Sequence, residues 1–235
     1  MPDRRPPGYA CEENAREALL AARARTDALG ADSTGPSCLS LRWRRSGGAG
    51  FLLIPPVGVA GAGCDPVIHW IPLQDGAQPS GAPDEWRLHR DLYRLRDDVD
   101  AIVRCRPAFA TTLACSTRLP PKGVPAFHPD LPLAAGAALV RVDCGLPGTM
   151  AGSKSGSKSG SMAGSTSDST LRSEPLLAAL EGSNSACLLA GWGLLACGAS
   201  LPVATARAAE VEALARIWWH LLQLDSSSAA RPEGR

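Results

Sequence analysis

The amino-acid sequence predicts an α/β protein in which helices pack against a sheet. Segments with apolar residues at three- and four-residue steps, typical of amphipathic helices, alternate along the chain with segments in which every second residue is apolar, typical of strands. The chain has 235 residues, of which 45% are hydrophobic, and this content is enough for one good core or at most two small ones. A single domain over residues 1–235 is therefore the default prediction.

The charge balance argues against partners that are recognised by bulk electrostatics. Lys and Arg total 24 against 23 Asp and Glu, so the net charge at pH 7 is +1 and no global field favours nucleic acid or anionic lipid. No apolar run approaches the roughly 20 residues that a membrane span needs. The first residues, MPDRRPPGYACEEN, lack the apolar segment of a secretory signal. We therefore expect a cytoplasmic protein with no nucleic-acid partner and no membrane partner.

Cysteine spacing also fits a cytoplasmic protein. The eight cysteines form no C-x-x-C pair, so the spacing fits neither a zinc ribbon nor a dense disulfide framework. Reduced and mostly buried thiols are the simplest interpretation, and several disulfides formed in an oxidising compartment are the alternative.

The first third of the chain predicts one helix and three strands. A helix that ends at Gly30 is predicted by a stripe of small and apolar residues, namely Ala15, Ala18, Leu19, Ala22, Thr26 and Leu29. A half-buried strand follows, because apolar and polar residues alternate from Leu39 to Trp43. Further strands are predicted over residues 51–54 and 67–74.

The stretch from Pro83 to Cys115 predicts a helix, a strand and a second helix. The first helix begins near Asp84, and one of its faces carries Glu85, Leu88, His89, Leu92 and Leu95. The strand covers residues 101–106, and because side chains alternate across a strand, one side carries Ile102, Arg104 and Arg106 and the other Ala101, Val103 and Cys105. Pro107 then opens the next helix.

The remainder of the chain is interrupted by a polar insertion. Residues 150–169 consist of small polar residues with a GSKS repeat, which favours a flexible segment. A strand-like segment precedes the insertion at residues 139–142. A short helix capped by Ser173 follows it, then the strands ACLLA and GWGLLACG. A long helix closes the chain, with a buried stripe of Val211, Leu214, Trp218 and Leu221.

Three segments resemble the class II aldolase/adducin family, which includes L-fuculose-phosphate aldolases and L-ribulose-phosphate epimerases. PDEWRLH, AIVRCRP and AFATTLA in this chain are similar to the family patterns S-S-E-W-R-x-H and I-V-H-x-H-P-x-x-A-T-A. The resemblance covers about residues 12–224, apart from the insertion. It implies a three-layer α/β fold, with a mostly antiparallel central sheet flanked by helices. It also implies a homo-oligomer, most simply a homotetramer with pockets between subunits.

The resemblance also shows where this chain departs from the family. The three histidines that bind the catalytic zinc in the family correspond here to Arg104, Arg106 and Trp192. In the family's phosphate-binding loop, Cys38 replaces an asparagine and Pro36 removes an amide donor. We therefore expect no metal, no cofactor and no sugar-phosphate site of the family type. Trp192 is expected to fill the emptied pocket as an apolar plug rather than to stack on a ligand.

Glu85 matches the residue that moves protons in the family's aldolases, and two interpretations of it remain open. A glutamate at a helix N-terminus that faces two arginines is favoured by the helix dipole and forms an ordinary salt bridge. In the alternative, Arg104 and Arg106 act as an electrophilic clamp on a small carboxylate or carbonyl ligand, while Glu85 transfers a proton. His89 lies on the same helix face, where either packing or weak assistance to Glu85 would explain it.

These observations leave three functional hypotheses. The first is a degenerate member of the family that has lost the zinc and phosphate sites and acts as a non-catalytic binding or assembly protein. The second is a repurposed, metal-independent enzyme that performs lyase, isomerase or cyclase chemistry with Glu85. The third and least favoured is a zinc-dependent sugar-phosphate aldolase.

Overall fold

The computed structural model describes residues 9–29, 37–46, 48–56, 67–74, 79, 81–82, 84–117, 119–120, 123–145 and 172–229, with side chains as far as residue 224. The predicted flexible insertion at residues 150–169 lies outside these residues, and so do Gly30, Pro36, Pro83 and Cys64.

A seven-stranded sheet lies at the centre of the fold. Its strands are β1 (Cys38–Arg45), β2 (Gly48–Ile54), β3 (His69–Pro72), β4 (Ala101–Cys105), β5 (Arg141–Val142), β6 (Ala186–Leu189) and β7 (Gly193–Gly198). Their order across the sheet is β3-β2-β1-β4-β7-β6-β5. Five of the neighbouring pairs are antiparallel, and the pair of β5 and β6 is parallel. The mostly antiparallel sheet predicted above is therefore confirmed.

Helices cover both faces of the sheet. They are α1 (Glu12–Asp27), α2 (Trp86–Leu95), α3 (Ala108–Cys115), α4 (Leu131–Ala135), α5 (Glu174–Ala179) and α6 (Leu201–Ala229). Buried side chains of α1, α3, α4 and α6 form one apolar cluster with one face of the sheet. Those of α2 and α5 form a second cluster with the other face. The result is the three-layer fold that the resemblance implies.

Strand β4 shows why the alternation in the sequence was informative. Ala101, Val103 and Cys105 belong to the first cluster, whereas Ile102 belongs to the second. Arg104 lies on the same side as Ile102, beneath α2, because side chains alternate across a strand. The sequence therefore predicted correctly which side of β4 carries Arg104.

The prediction that β1 is half-buried was wrong. Its apolar side packs in the first cluster, as expected, but Ser40 on the polar side is fully buried. Helix α2 covers this side, and it supplies the polar partners that make burial of a hydroxyl tolerable. Arg42 is partly buried for the same reason, since its guanidinium donates hydrogen bonds to the backbone oxygens of Tyr93, Val99 and Arg96.

Several predicted details are also corrected. The strand predicted at residues 67–74 is confined to His69–Pro72, and the one predicted at residues 139–142 to Arg141–Val142. The Ser173 hydroxyl accepts no cap hydrogen bond from α5 and donates to Asp91 Oδ2 at 2.6 Å. Leu221, which was assigned to the buried stripe of the last helix, is 38% exposed, and Leu95, on the apolar face of α2, is 50% exposed.

Helix α1 holds the chain on either side of the site. The Arg23 guanidinium donates to the Pro55 carbonyl oxygen at 2.9 Å, after β2. The Asp27 carboxylate accepts a hydrogen bond from the Ser37 amide at 2.8 Å, immediately before β1. Arg23 and Asp27 also pair with each other at 3.1 Å. These contacts fix the start of β1 and therefore the position of Cys38, which enters the site described below.

The state of the cysteines can be compared with the prediction from their spacing. The described cysteines are free thiols, and five of them are buried, namely Cys38, Cys105, Cys144, Cys187 and Cys197. This agrees with the prediction of reduced and mostly buried thiols.

Within the part of the chain that the structure describes, no helix is both long enough and apolar enough to cross a bilayer.

Candidate functional site

The structure brings all five residues singled out in the sequence to one place. Glu85 lies at the N-terminus of α2, and His89 is one turn further along the same face. Arg104 lies in β4, and Arg106 follows the end of β4 at Cys105, although the sequence predicted a strand as far as residue 106. Trp192 lies in the turn between β6 and β7. Because β4 pairs with β7 from Ala101 to Cys105, this turn is next to the two arginines.

An ion pair between Arg104 and Glu85 occupies the centre of the site. Arg104 Nε donates to Glu85 Oε1 at 2.6 Å, and Arg104 Nη2 donates to Glu85 Oε2 at 2.9 Å. The two residues are 1% and 4% exposed. This bidentate geometry is the strongest that the two groups can form, because the guanidinium edge matches the two carboxylate oxygens.

The ion pair keeps both groups charged. Burial alone would raise the pKa of Glu85, but the charge and hydrogen bonds of Arg104 outweigh burial and leave this pKa below its ordinary value. Burial would likewise lower the pKa of Arg104, whereas the Glu85 carboxylate raises it above the usual value for arginine. The centre of the site therefore contains a carboxylate that is ionised at neutral pH and a guanidinium that neutralises it.

His89 belongs to a buried hydrogen-bond network behind this pair. Ser40 Oγ lies 2.7 Å from His89 Nδ1 and 2.8 Å from the Tyr93 hydroxyl. Burial lowers the pKa of His89 to about 4, although the Glu85 charge opposes this effect, so the imidazole is neutral at pH 7. If Nδ1 accepts a hydrogen bond from the Ser40 hydroxyl, the single ring proton is on Nε2, which lies 4.0 Å from Glu85 Oε1. In this tautomer the Nε2–H group, which carries a partial positive charge, faces the Glu85 carboxylate and stabilises the negative charge of the carboxylate.

Trp192 packs against both guanidinium groups. The centre of its ring lies 4.8 Å from Arg106 Cζ and 5.4 Å from Arg104 Cζ, within the range of cation–π attraction. The side chain also contacts the second apolar cluster. Its packing is therefore partly that of the predicted apolar plug, but its principal polar neighbours are the two arginines.

Arg106 differs from Arg104 in having no carboxylate partner among the residues that the structure describes. The side chain is partly buried, and its Nε has almost no accessible surface and no hydrogen-bond partner in that part of the chain. Burial, followed by the neighbouring charge of Arg104, lowers the pKa of Arg106. The predicted two-arginine clamp is thus unequal, because Arg104 is bound to Glu85 and Arg106 carries the uncompensated charge.

Sequence reasoning did not place Cys38, Ser40 or Tyr93 in this site. Cys38 was considered only as a lost amide in a loop, yet its Sγ lies 4.0 Å from His89 Nε2. Two patterns could have revealed the network. Glu85, His89 and Tyr93 follow each other at four-residue steps on α2, and Cys38 and Ser40 share one side of β1.

One set of side chains in the described residues has donor atoms that could hold a metal ion. Cys38, Glu85 and His89 offer a sulfur, an oxygen and a nitrogen within 4.8 Å of one another, all buried. Tetrahedral zinc bonds of about 2.0–2.3 Å place such atoms roughly 3.4–3.6 Å apart, whereas His89 Nε2 lies 4.0 Å from both of the other donor atoms. Burial and the Glu85 charge hold the pKa of Cys38 well above its ordinary value, so this thiol is protonated.

Metal capture by this cluster would therefore require a shift of the donor atoms, loss of the Cys38 proton and competition with Arg104 for the Glu85 carboxylate. The positions that match the family's zinc ligands fit a metal still less well. Arginine remains protonated and offers no lone pair, and the indole of tryptophan is a donor only. Arg104, Arg106 and Trp192 do not fit a zinc ion.

Comparisons with known proteins agree with this fold. Residues 17–219 match the family described as Class II Aldolase and Adducin N-terminal domain. The chain is 32% identical over 211 residues to the 5-methylthioribulose-1-phosphate/5-deoxyribulose-1-phosphate aldolase of Rhodospirillum rubrum, a match that covers 89% of this chain and 82% of that protein.

Solved structures give the same result. The crystal structure of YgbL from Klebsiella pneumoniae is similar with a TM-score of 0.66 and 24% identity, over 91% of this chain and 92% of that one. The L-fuculose-1-phosphate aldolase of Thermus thermophilus is similar with a TM-score of 0.58 and 25% identity, over 88% of this chain and 98% of that one.

Proposed function

Because the chain belongs to the class II aldolase and adducin family, we propose that it is a member without the family's zinc site that acts as a non-catalytic binding or assembly protein. The observation that carries this proposal is the buried, bidentate ion pair between Arg104 and Glu85. It occupies the position where the resemblance implies a metal and a proton-transferring carboxylate.

The contacts of the ion pair disfavour both a bound metal ion and proton transfer by Glu85. Arg104 cannot coordinate a cation, and its charge repels one. Both oxygens of Glu85 accept hydrogen bonds from Arg104, and the pKa of Glu85 lies below its ordinary value despite burial. An efficient general base has a pKa near the working pH, and enzymes usually raise that of glutamate to reach it. Glu85 departs from its ordinary value in the opposite direction.

A second candidate function is a metal-independent enzyme, and Arg106 is the observation that favours it. A partly buried guanidinium without a carboxylate partner in the described residues, close to Glu85, is a suitable anchor for a small carboxylate or carbonyl ligand. Such an anchor is required by a repurposed enzyme and by a ligand-binding protein alike. A measurement of turnover distinguishes the enzyme from the ligand-binding protein, because only the enzyme converts the ligand.

The proposal is tested by an activity assay with the related aldolase as the positive control. Both proteins are purified after growth with added zinc and incubated with 5-methylthioribulose 1-phosphate, the substrate named for the Rhodospirillum rubrum protein. We expect cleavage by the related aldolase and none by this protein, with or without zinc in the assay. Cleavage by this protein that a chelator abolishes would refute the proposal.

We also propose that the protein is a cytoplasmic homotetramer. The tetramer is an expectation from family resemblance, and the cytoplasmic location is supported by the buried free thiols of the described residues. Light scattering coupled to size-exclusion chromatography would measure the mass of the assembly, for which four chains of 24.4 kDa are expected. A monomer at micromolar concentration would contradict the proposed assembly.

A further inference from the structure

We propose that Arg106 and Trp192 form a binding site for a small monocarboxylate, an inference that rests on the proposed function because it requires the Glu85–Arg104 ion pair in place of a metal. Arg106 would bind the ligand carboxylate, and Trp192 would hold the guanidinium in position. The ligand class follows from the charges, from the geometry of Arg106 and from the packing beneath it.

The charges of the described site select a monoanion. Arg104 and Arg106 contribute two positive charges, Glu85 contributes one negative charge, and His89 is neutral at pH 7. One positive charge therefore remains, and it belongs to Arg106. A monocarboxylate neutralises this charge, whereas a phosphate dianion would leave a negative charge facing Glu85. A neutral carbonyl compound would leave the charge of Arg106 unmatched.

The orientation of Arg106 leaves a suitable edge for a carboxylate. All guanidinium N–H groups point outward in the plane of the group, so a ring stacked on one face does not block them. Arg106 Cζ lies over the Trp192 ring, 4.8 Å from the centre of the ring. Arg104 shows how the edge is used in this protein, since its Nε and Nη2 bind the two oxygens of Glu85. The corresponding Nε of Arg106 has no hydrogen-bond partner in the described part of the chain, but it has almost no accessible surface, so a ligand carboxylate would bind to the Nη groups of Arg106.

Close backbone packing fixes the stem of Arg106. Gly193 follows Trp192 and has a φ of +101°, which favours glycine. A Cβ at this position would clash with the carbonyl oxygen of Cys105 and would lie 3.2 Å from Arg106 Cγ. The turn between β6 and β7 therefore lies directly against the Arg106 side chain. A guanidinium held in this way loses little freedom when a ligand binds, which favours binding.

The test uses calorimetric titration of the full-length wild-type protein at constant ionic strength and slightly alkaline pH, where inorganic phosphate is mainly a dianion. The probes are acetate, pyruvate and benzoate as monocarboxylates, benzamide as the neutral analogue of benzoate, and inorganic phosphate as the dianion. The variants are Arg106→Gln, which removes the charge, and Trp192→Leu, which removes the stacking ring. Arg216→Gln is the matched control, because Arg216 also packs on an aromatic ring, 5.7 Å from Phe109, but lies outside the site.

We expect at least one monocarboxylate to bind the wild-type protein more tightly than benzamide or phosphate. Loss of a charged hydrogen-bond donor should weaken this binding by at least about tenfold in Arg106→Gln. A smaller loss is expected in Trp192→Leu and none in Arg216→Gln. Denaturant unfolding of each variant confirms that it is folded. If Arg106→Gln does not fold, the inference is tested by Trp192→Leu and Arg216→Gln, of which only the first should bind the monocarboxylate more weakly than the wild type.

Three results would overturn the inference. The first is that no monocarboxylate binds the wild-type protein, the second is that phosphate binds more tightly than every monocarboxylate, and the third is that folded Arg106→Gln binds the monocarboxylates as tightly as the wild type. Each of these results would leave the proposed non-catalytic function standing if the protein also lacks zinc and aldolase activity. Conversely, zinc-dependent cleavage of the sugar phosphate would refute the proposed function whether or not carboxylates bind.

Discussion

Replacement of Glu85 by glutamine removes the negative charge of the central ion pair and leaves Arg104 buried. The two side chains are 4% and 1% exposed, so solvent cannot compensate for the lost charge. Removal of one partner of a buried ion pair costs about 3–5 kcal/mol of unfolding free energy. Because the glutamine oxygen can still accept one hydrogen bond from Arg104, we expect a loss of about 3 kcal/mol, at the lower end of this range.

Urea denaturation followed by circular dichroism measures this loss, provided that the dependence on urea concentration is the same in each protein. Asp98→Asn is the matched control. Asp98 pairs with Arg96 at 2.6 Å but is 67% exposed, so its loss should cost less than about 1 kcal/mol. The double variant Glu85→Leu/Arg104→Met should recover most of the stability, because apolar groups can replace a buried ion pair.

A loss of stability in Glu85→Gln no larger than that in Asp98→Asn would contradict this expectation. Such a result would mean that water or another charge reaches Arg104, and that the ion pair does not hold the centre of the fold together. It would also favour the metal-independent enzyme, in which Glu85 lines an open pocket.

Three further changes test the surroundings of the site. The pKa of His89 is about 4 in the folded state and near 6.5 in the unfolded state, so below pH 6.5 protons bind the unfolded chain preferentially. Stability should fall between pH 6.5 and about 4 by up to about 3 kcal/mol, and a smaller fall in His89→Gln than in the wild type is the check. Gly193→Ala should destabilise the protein by more than Gly182→Ala, because both glycines have positive φ but only Gly193 has close neighbours, and equal melting temperatures would contradict this. Glu212→Gln should cost about 1 kcal/mol in urea denaturation, because its carboxylate accepts hydrogen bonds from two amides at the start of α3; an unchanged stability would contradict that cap.

Periodicity predicted the helices and strands because burial on most of these elements follows it closely. On α1 the predicted stripe includes Ala15, Leu19 and Ala22, which are fully buried. On β4 the alternation correctly divides the residues between the two faces of the sheet. The layers themselves came from resemblance to the family, since periodicity does not say which elements become neighbours.

The candidate site was predicted in position but not in detail. Glu85, Arg104, Arg106 and Trp192 were placed together because they match positions that meet in the family. That Arg104, and not Arg106, donates to both oxygens of Glu85 could not be predicted, because it depends on distances of a few tenths of an ångström. The burial of Ser40 was missed for a related reason, since a polar residue on an alternating strand is exposed unless another helix covers it.

The proposed function rests on the claim that an ion pair has replaced the metal, and the zinc content of the purified protein tests this claim without an assumed substrate. The protein is expressed in zinc-replete medium, purified without chelators and measured by elemental analysis, together with Cys38→Ser and His89→Gln. The proposed function predicts that all three proteins contain far less than one zinc per chain. One zinc per chain in the wild type, lost in both variants, would contradict the claim and would assign a metal to the cluster of Cys38, Glu85 and His89.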